Sequence, residues 1–415
     1  MTAAAKISMK NGIFVILGCV LVVTIVLGVF TTSEYSPTFF NRILSFPPSL
    51  HRHSPVRDEP GSRSQSHHGQ ALIDCLTDGV WKRDSSQDFT GLQEKLDEFI
   101  RKTRDSYKLP NPLQRKDSLC GNVTFGEGLN FFRAVCDPFL STPCCFQGTC
   151  KSISEELCMC PECYDLRQNM HGEMSEWIGS RTDCQLKKFT NEEACSVLRD
   201  RQIVFIGDSF MRQMFMGLQI LLSNNDIDSC MRAKMSPEME KHCKWLYMFT
   251  KECRPFVAKK DLRCRGTVTL HYYECFTPGS FNVTPHVQKH CGSVSTLFVF
   301  GFGLHYKYNA QKLIKELVAP ILKQLHANPA YVETKLVWML PHSMGMLHQQ
   351  TQPLQVLSFN SKLRQYLSPL AVPVIDTFNL TRNLITYDGS HYTKAANLLK
   401  VQILLNYLAD QGGHF

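Results

Sequence analysis

Residues 201–223 read RQIVFIGDSFMRQMFMGLQILLS. The β-branched, apolar run from Ile203 to Ile206 predicts a strand. It breaks at Gly207-Asp208-Ser209. Phe210, Met214, Leu218 and Leu221/Leu222 then recur at helical spacing, which predicts an amphipathic helix. A strand, a tight turn and a helix place one small polar side chain where the strand ends. Ligands bind at that edge in open α/β sheets. The side chain is that of Ser209, a candidate nucleophile.

A serine hydroxyl needs a base, and the base needs a third group to orient it. Residues 386–392, TYDGSHY, offer both. Asp388 and His391 stand three apart, so one short loop can hold the carboxylate beside the imidazole and fix its tautomer. The order Ser…Asp…His is one that catalytic triads take. Each half is common alone: Gly-Asp-Ser as a turn, Asp-x-x-His as a helix cap. Their placement is the sharper signal. One follows the first strand of an α/β pattern and the other precedes the last helix.

Between them, strands are expected at Ile203–Ile206, Thr267–Cys275, Thr296–Gly301, Lys335–Leu340 and Val372–Asp376. Helices are expected at Phe210–Leu222, Ala310–His326, Leu354–Leu367 and Thr393–Leu408. The alternation implies an α/β fold: a mostly parallel, five-stranded, flavodoxin-like sheet with helices on both faces and right-handed connections. It occupies residues 201–415. Residues 71–200 are rich in cysteine and hold one clear helix, Gly91–Tyr107. This accessory region is expected to pack on the catalytic domain and shape its groove.

Ahead of it, residues 31–70 are rich in Ser, Pro, His and Arg without apolar periodicity, and read as a flexible stem. Gly12 to Phe30 (GIFVILGCVLVVTIVLGVF) carries no charge and would span roughly 28 Å as a helix. Lys6 and Lys10 precede it and no cation follows until Arg42. The positive-inside rule then leaves residues 1–11 in the cytosol and residues 12–30 as an uncleaved type II signal anchor. A short span suits Golgi or ER membranes.

Hydrophobic residues at 43% and charged residues at 20% are the proportions of a globular protein. The net charge of +8 comes from Lys and Arg spread along the chain, with no basic block interleaved with aromatics, which argues against nucleic-acid binding. Of 18 cysteines, Cys19 lies in the apolar span and 17 follow it. That density predicts disulfides in an oxidising lumen. The odd number leaves a free thiol or a disulfide-linked dimer. Cys158, Cys160 and Cys163 have metal-like spacing, but without a matching partner cluster disulfides are the reading and no metal is expected. Asn122, Asn282 and Asn379 stand in Asn-x-Thr sequons.

The Gly-Asp-Ser and Asp-x-x-His blocks resemble those of the SGNH (GDSL) esterase superfamily. Further anchors are similar to the plant trichome-birefringence-like proteins of the PC-esterase clan: Cys75-x-x-x-Gly79-x-Trp81, the run Ala194–Arg201 into Gly207-Asp208-Ser209-Phe210-Met211-Arg212, Gly303-Leu304-His305, and Asp388-Gly389-Ser390-His391. Two departures stand out. The place of the superfamily's Gly-x-Asn-Asp block reads Gly301-Phe302-Gly303-Leu304-His305, without the oxyanion-binding Asn, as in the PC-esterase clan. The plant proteins carry a cysteine in the last block, where this chain has Gly389-Ser390.

The resemblance implies a lumenal O-acetyltransferase acting on glycan hydroxyls through an acetyl-serine, with a carbohydrate O-acetylesterase or a catalytically inactive glycan- or partner-binding protein as alternatives. No bound cofactor is implied; an acetyl donor such as acetyl-CoA would be a co-substrate. Backbone N–H groups of Ser209, Gly279 and Gly303 are oxyanion candidates. Arg212, His305 and His342 are substrate-binding candidates; for Arg212 a salt bridge at the sheet edge is the competing role, and for the histidines a structural hydrogen bond. Asp226-Ile227-Asp228 matches the Asp-x-Asp metal motif of Golgi glycosyltransferases, but it follows a helix end and not a nucleotide-binding strand.

Overall fold

The computed structural model describes residues 60–126, 129, 132–154, 157–158, 164–165, 170–232, 234–275, 282–291, 296–327, 334–345 and 353–411. The chain divides into two units, Met1–Asp58 and Glu59–Phe415. The first, which contains the predicted anchor at 12–30, lies outside the described residues. No helix among the described residues is long and apolar enough to cross a membrane.

The sequence-predicted strand over 203–206 is β6, Gln202–Gly207, at the centre of a six-stranded sheet. The other members are β7 (Lys260–Arg263), β8 (Val268–Glu274), β9 (Thr296–Gly301), β10 (Lys335–Leu340) and β11 (Val374–Asp376), in the order β11-β10-β9-β6-β8-β7. All neighbours run parallel except β7, which is antiparallel to β8. The parallel strands thus follow the doubly wound order in which the chain leaves the middle strand, β6, first to one side and later to the other.

The sixth strand was not expected. Its sequence, KDLR, carries three charges, and such a strand is stable only at an edge, where its outer side meets water. The inner strands are buried on both faces and alternate between two cores. Ile203, Phe205, Leu297, Val299, Val337 and Met339 join one. Val204, Ile206, Phe298, Phe300, Trp338 and Leu340 join the other.

The helices are α1 (Pro60–Leu76), α2 (Thr90–Ser106), α3 (Asn191–Val197), α4 (Ser209–Leu221), α5 (Pro237–His242), α6 (Thr284–His290), α7 (Ala310–Leu313), α8 (Ala319–Ala327), α9 (Pro353–Leu367) and α10 (Lys394–Asp410). A π-helical stretch, Ile314–Val318, joins α7 to α8. Helices α4 and α10 cover the first core, and α6 to α9 cover the second.

Two expectations are corrected. Helix α4 is buried on every side, from Ser209 to Leu221, and is not amphipathic. Its polar side chains find internal partners instead of water: Gln213 donates to the Tyr387 hydroxyl (2.6 Å) and Gln219 to Asp261 (2.9 Å). Helix α1 begins at Pro60, inside the segment read as a flexible stem. Gln70 orders it by bonding the sheet edge: its amide accepts from Val374 N–H (2.8 Å) and donates to Val374 C=O (2.9 Å), as a neighbouring strand would.

Strand β6 comes very close to β9 and α4. A Cβ on Gly207 would stand 2.1 Å from the Gly301 carbonyl oxygen and 2.4 Å from Met211 Cγ. The glycine therefore sets how tightly the strand turns into the helix.

In the accessory region, β1 (Gly79–Arg83) pairs antiparallel with β5 (Ser175–Gly179), placing Trp81 opposite Trp177. Strands β2 (Cys144–Phe146), β3 (Thr149–Lys151) and β4 (Tyr164–Asp165) form a small separate sheet. Disulfides join Cys75–Cys184, Cys120–Cys145, Cys136–Cys150 and Cys144–Cys158 here, and Cys195–Cys264 and Cys243–Cys253 further on. Among the described residues Cys230, Cys275 and Cys291 are free; Cys160 and Cys163 lie outside them.

Candidate active site

Ser209 opens α4 at the carboxyl end of β6, between β8 and β9. Asp208 caps the helix, its Oδ1 accepting the Phe210 N–H at 3.0 Å. The cap aims the serine out of the sheet edge while keeping it 6% exposed.

The other half of the site is a turn. Gly389, with φ of +85°, reverses the chain between Asp388 and His391. Asp388 Oδ1 accepts the N–H of Ser390 (3.0 Å) and of His391 (2.8 Å). Its Oδ2 accepts from His391 Nδ1 at 2.7 Å. The three-residue spacing is what lets one carboxylate bind both the backbone and the ring. With Nδ1 donating to Asp388, Nε2 is left as an acceptor, and it lies 2.7 Å from Ser209 Oγ. Residues 182 positions apart thus form one continuous chain, Ser209–His391–Asp388.

The electrostatics fit this chain. Burial alone would raise the Asp388 pKa, but the His391 charge, the ring hydrogen bond and the two amides outweigh it and hold the carboxyl below its usual value. Asp388 is therefore ionised and able to stabilise an imidazolium. Phe210 meets the His391 ring edge-on at 5.6 Å and Tyr387 stacks at 5.9 Å, so the ring has aromatic walls on two sides. Tyr107, at the end of α2, adds a contribution from the accessory region. Burial, then the nearby Asp388 charge, push its phenol well up.

Arg212 turns into a buried ion pair. It is buried and its Nη1 lies 2.7 Å from Glu274 Oε1, so the competing salt-bridge role holds. Glu274 ends β8, directly beside Gly207. His342 is also turned inward, 1% exposed, with Nε2 on the Ser390 carbonyl (2.7 Å) and Nδ1 on Lys400 Nζ (2.9 Å). Both are substrate-binding candidates, and the structure gives each the competing role instead, a buried ion pair for Arg212 and structural hydrogen bonds for His342.

His305 is half-buried and close enough to Asp208 for its charge to oppose the rise that burial imposes on that carboxyl. The Gly303 amide also favours the charged carboxylate, without being aligned to bond its Oδ2. Gly279 lies outside the described residues. Asp226 and Asp228 are used structurally: Asp226 caps a short 3-10 turn and Asp228 accepts the Trp245 N–H. Asn122, Asn282 and Asn379 are exposed.

Sequence reading missed Lys400, Glu274 and Tyr387. Lys400 had a visible signal: it is the one charge in the apolar run LLKVQILL, where a solvent-facing helix would show more.

No protein-family model matches the chain, and no curated protein matches it significantly. Solved structures similar to it include Est24, a carbohydrate acetylesterase from Sinorhizobium meliloti, at 12% identity over 50% of this chain and 98% of that one, TM-score 0.30. Axe2, an acetylxylan esterase from Geobacillus stearothermophilus, is 10% identical over 51% and 96%, TM-score 0.30. A member of the lipolytic G-D-S-L family from Veillonella parvula is 12% identical over 49% and 96%, TM-score 0.30. Likeness at this level carries nothing about chemistry, which rests on the geometry above.

Proposed function

We propose that this chain is a serine acyl-transfer enzyme that moves an acetyl group onto a glycan hydroxyl. The Ser209–His391–Asp388 chain, with both links at 2.7 Å, carries the reading. His391 takes the Ser209 proton as the hydroxyl attacks an acetyl carbonyl. Asp388 holds the ring and stabilises its charged form. The tetrahedral oxyanion forms next to the Ser209 N–H at the positive end of α4. Collapse expels the donor's leaving group, to which His391 returns the proton, and leaves an acetyl-serine. A sugar hydroxyl, deprotonated by His391, then takes the acetyl group and frees the serine.

Hydrolysis shares the first half of this sequence and differs only in water as the acceptor. The burial of Ser209 beside a His391 ring walled by Phe210 and Tyr387 supports the sugar over water. The density of disulfides supports an oxidising lumen. In this proposal the apolar run at 12–30 is a type II anchor in a Golgi or ER membrane, and the exposed sequon asparagines carry glycans.

The test is full-length protein, wild type beside Ser209→Ala and His391→Ala, with p-nitrophenyl acetate and mixed glycans. Nitrophenol release that disappears in both variants, with acetyl-sugar appearing by mass spectrometry, is the expected result. Release into water alone makes the protein an esterase. Equal release by all three folded proteins refutes the acyl-serine.

A further inference from the structure

Behind the triad lies a second hydrogen-bonded array that the mechanism does not use. Lys400, in the middle of α10, is 3% exposed, and its Nζ lies 2.9 Å from His342 Nδ1. His342 Nε2 lies 2.7 Å from the carbonyl of Ser390, inside the turn that carries Asp388 and His391. A carbonyl can only accept, so Nε2 bears the ring proton and Nδ1 must accept from the lysine. Burial, then the Lys400 charge, hold His342 far below its usual pKa, which keeps the ring neutral and the direction of both bonds fixed.

Lys400 also looks the other way. It and Asp208 both line a cavity of about 20 Å3, together with Phe210, Met211, Thr377 and His342 among others, with room for one water molecule. Asp208 is buried, its Oδ2 has no hydrogen-bond partner, and its charge acts on Lys400. Asp208 is the residue next to Ser209. The His342 ring rests 3.7 Å from Phe210, the residue on the other side of Ser209.

We propose that Lys400 is a positioning residue that clamps the two halves of the triad together: it holds the Asp388–His391 turn through His342 and the Ser390 carbonyl, and it faces Asp208, at the start of α4, across the small cavity that both line. The clamp is needed because the two halves meet across 182 residues and no disulfide among the described residues joins them directly. An alkyl side chain at 400 would fill the same space but send no proton to His342, whose ring could then turn and release Ser390.

This inference rests on the acyl-transfer reading for its kinetic readout and on spectroscopy for its structural one. Full-length wild type, Lys400→Met, His342→Leu and the double variant would be compared by p-nitrophenyl acetate kinetics and by NMR of 15N-histidine. In wild type, His342 should be the neutral Nε2–H tautomer, and His391 Hδ1 should give a downfield resonance from its short bond to Asp388. Lys400→Met should keep its fold and its KM within twofold, lose tenfold or more in kcat, and shift or broaden the His391 resonance. The double variant should be no worse than the poorer single one, because His342 acts only through the bond that Lys400 donates to it.

An Nδ1–H tautomer of His342 in wild type overturns the proposal, and this needs no variant to fold. So does Lys400→Met with wild-type kcat and an unmoved His391 resonance, or losses that multiply in the double variant. If Ser209→Ala is as active as wild type, the acyl-transfer reading fails, yet the His391 resonance still decides whether Lys400 sets the turn.

Discussion

Removing Arg212 separates two roles for a conspicuous cation near the nucleophile. Glu274, with 4% of its side chain exposed, receives Arg212 Nη1 at 2.7 Å, Arg254 Nε at 3.1 Å and Lys259 Nζ at 3.3 Å. Arg212 is as buried as the carboxylate, whereas Arg254 and Lys259 are 35% and 42% exposed and screened by solvent. Breaking a buried pair from one side costs about 3–5 kcal/mol. Arg212→Met leaves Glu274 its two outer partners, so the loss should fall near the bottom of that range, about 3 kcal/mol. Glu274→Gln leaves the Arg212 guanidinium buried without a counter-charge and should reach the top, about 5 kcal/mol. At about 2 °C per kcal/mol for a unit of this size, Tm should drop by about 6 °C and about 10 °C. Thermal unfolding under non-oxidising, non-reducing buffer reads both, with p-nitrophenyl acetate kinetics alongside. KM of the folded Arg212→Met protein should stay within twofold. An unchanged Tm with KM raised tenfold would refute the structural role and return Arg212 to the substrate.

Asp388→Asn should lower kcat by about 10³–10⁴-fold with little change in Tm, since an amide no longer enforces the tautomer that accepts from Ser209; steady-state kinetics and calorimetry check the pair. Gly207→Ala puts a methyl group 2.1 Å from a backbone oxygen that the sheet holds in place, and should cost at least about 3 kcal/mol, read as a loss of soluble folded protein. Stability should rise with pH above neutrality. Burial pulls Lys400 down from 10.5 to about 7, so from about pH 7 to 10.5 the unfolded chain holds a proton that the folded chain has lost. The burial penalty is present in full below about pH 7 and fades toward pH 10.5, by up to about 5 kcal/mol before other groups contribute. Denaturant midpoints at pH 7 and 9 should show the rise in wild type, and it should vanish in Lys400→Met.

The parts of the site carried by local spacing were legible in the sequence. Strand β6, the turn at Gly207-Asp208-Ser209 and the Asp388–His391 pair each depend on a few adjacent residues, and short-range periodicity and turn chemistry report them. What depends on tertiary partners was not. Gln213 and Gln219 look like the wet face of α4 until Tyr387 and Asp261 are placed against them. KDLR does not look like a strand until β8 lies beside it. The Ser- and His-rich start of α1 gives no apolar stripe. Gln70 on the sheet edge, Ile73 and Leu76 in the core, Asp74 on Arg364 and the Cys75–Cys184 disulfide hold that helix. Lys400 announced itself as an oddity, but only the fold shows that His342 receives it.

The same geometry gives the disulfide-rich region a purpose. Ser209 follows a central, almost wholly buried strand of the sheet, and its position follows from β6 and α4. Asp388 and His391 follow β11, a three-residue edge strand with a neighbour on one side only. Sheet pairing cannot hold such a segment to the tolerance that a 2.7 Å proton path demands. Helix α1 and the accessory region supply the missing restraint at four points. Gln70 bonds both polar groups of Val374. Trp81 Nε1 donates to the Leu380 carbonyl at 2.8 Å. Met170 brackets Asn383 and Ile385 with two backbone bonds, and Glu173 accepts the Ala395 N–H at the start of α10. Two of these contacts come from the segment before β2 and two from the segment after β4, and Cys75–Cys184 joins those segments. The disulfide therefore braces one end of the triad from outside, while Lys400 and His342 brace it from within.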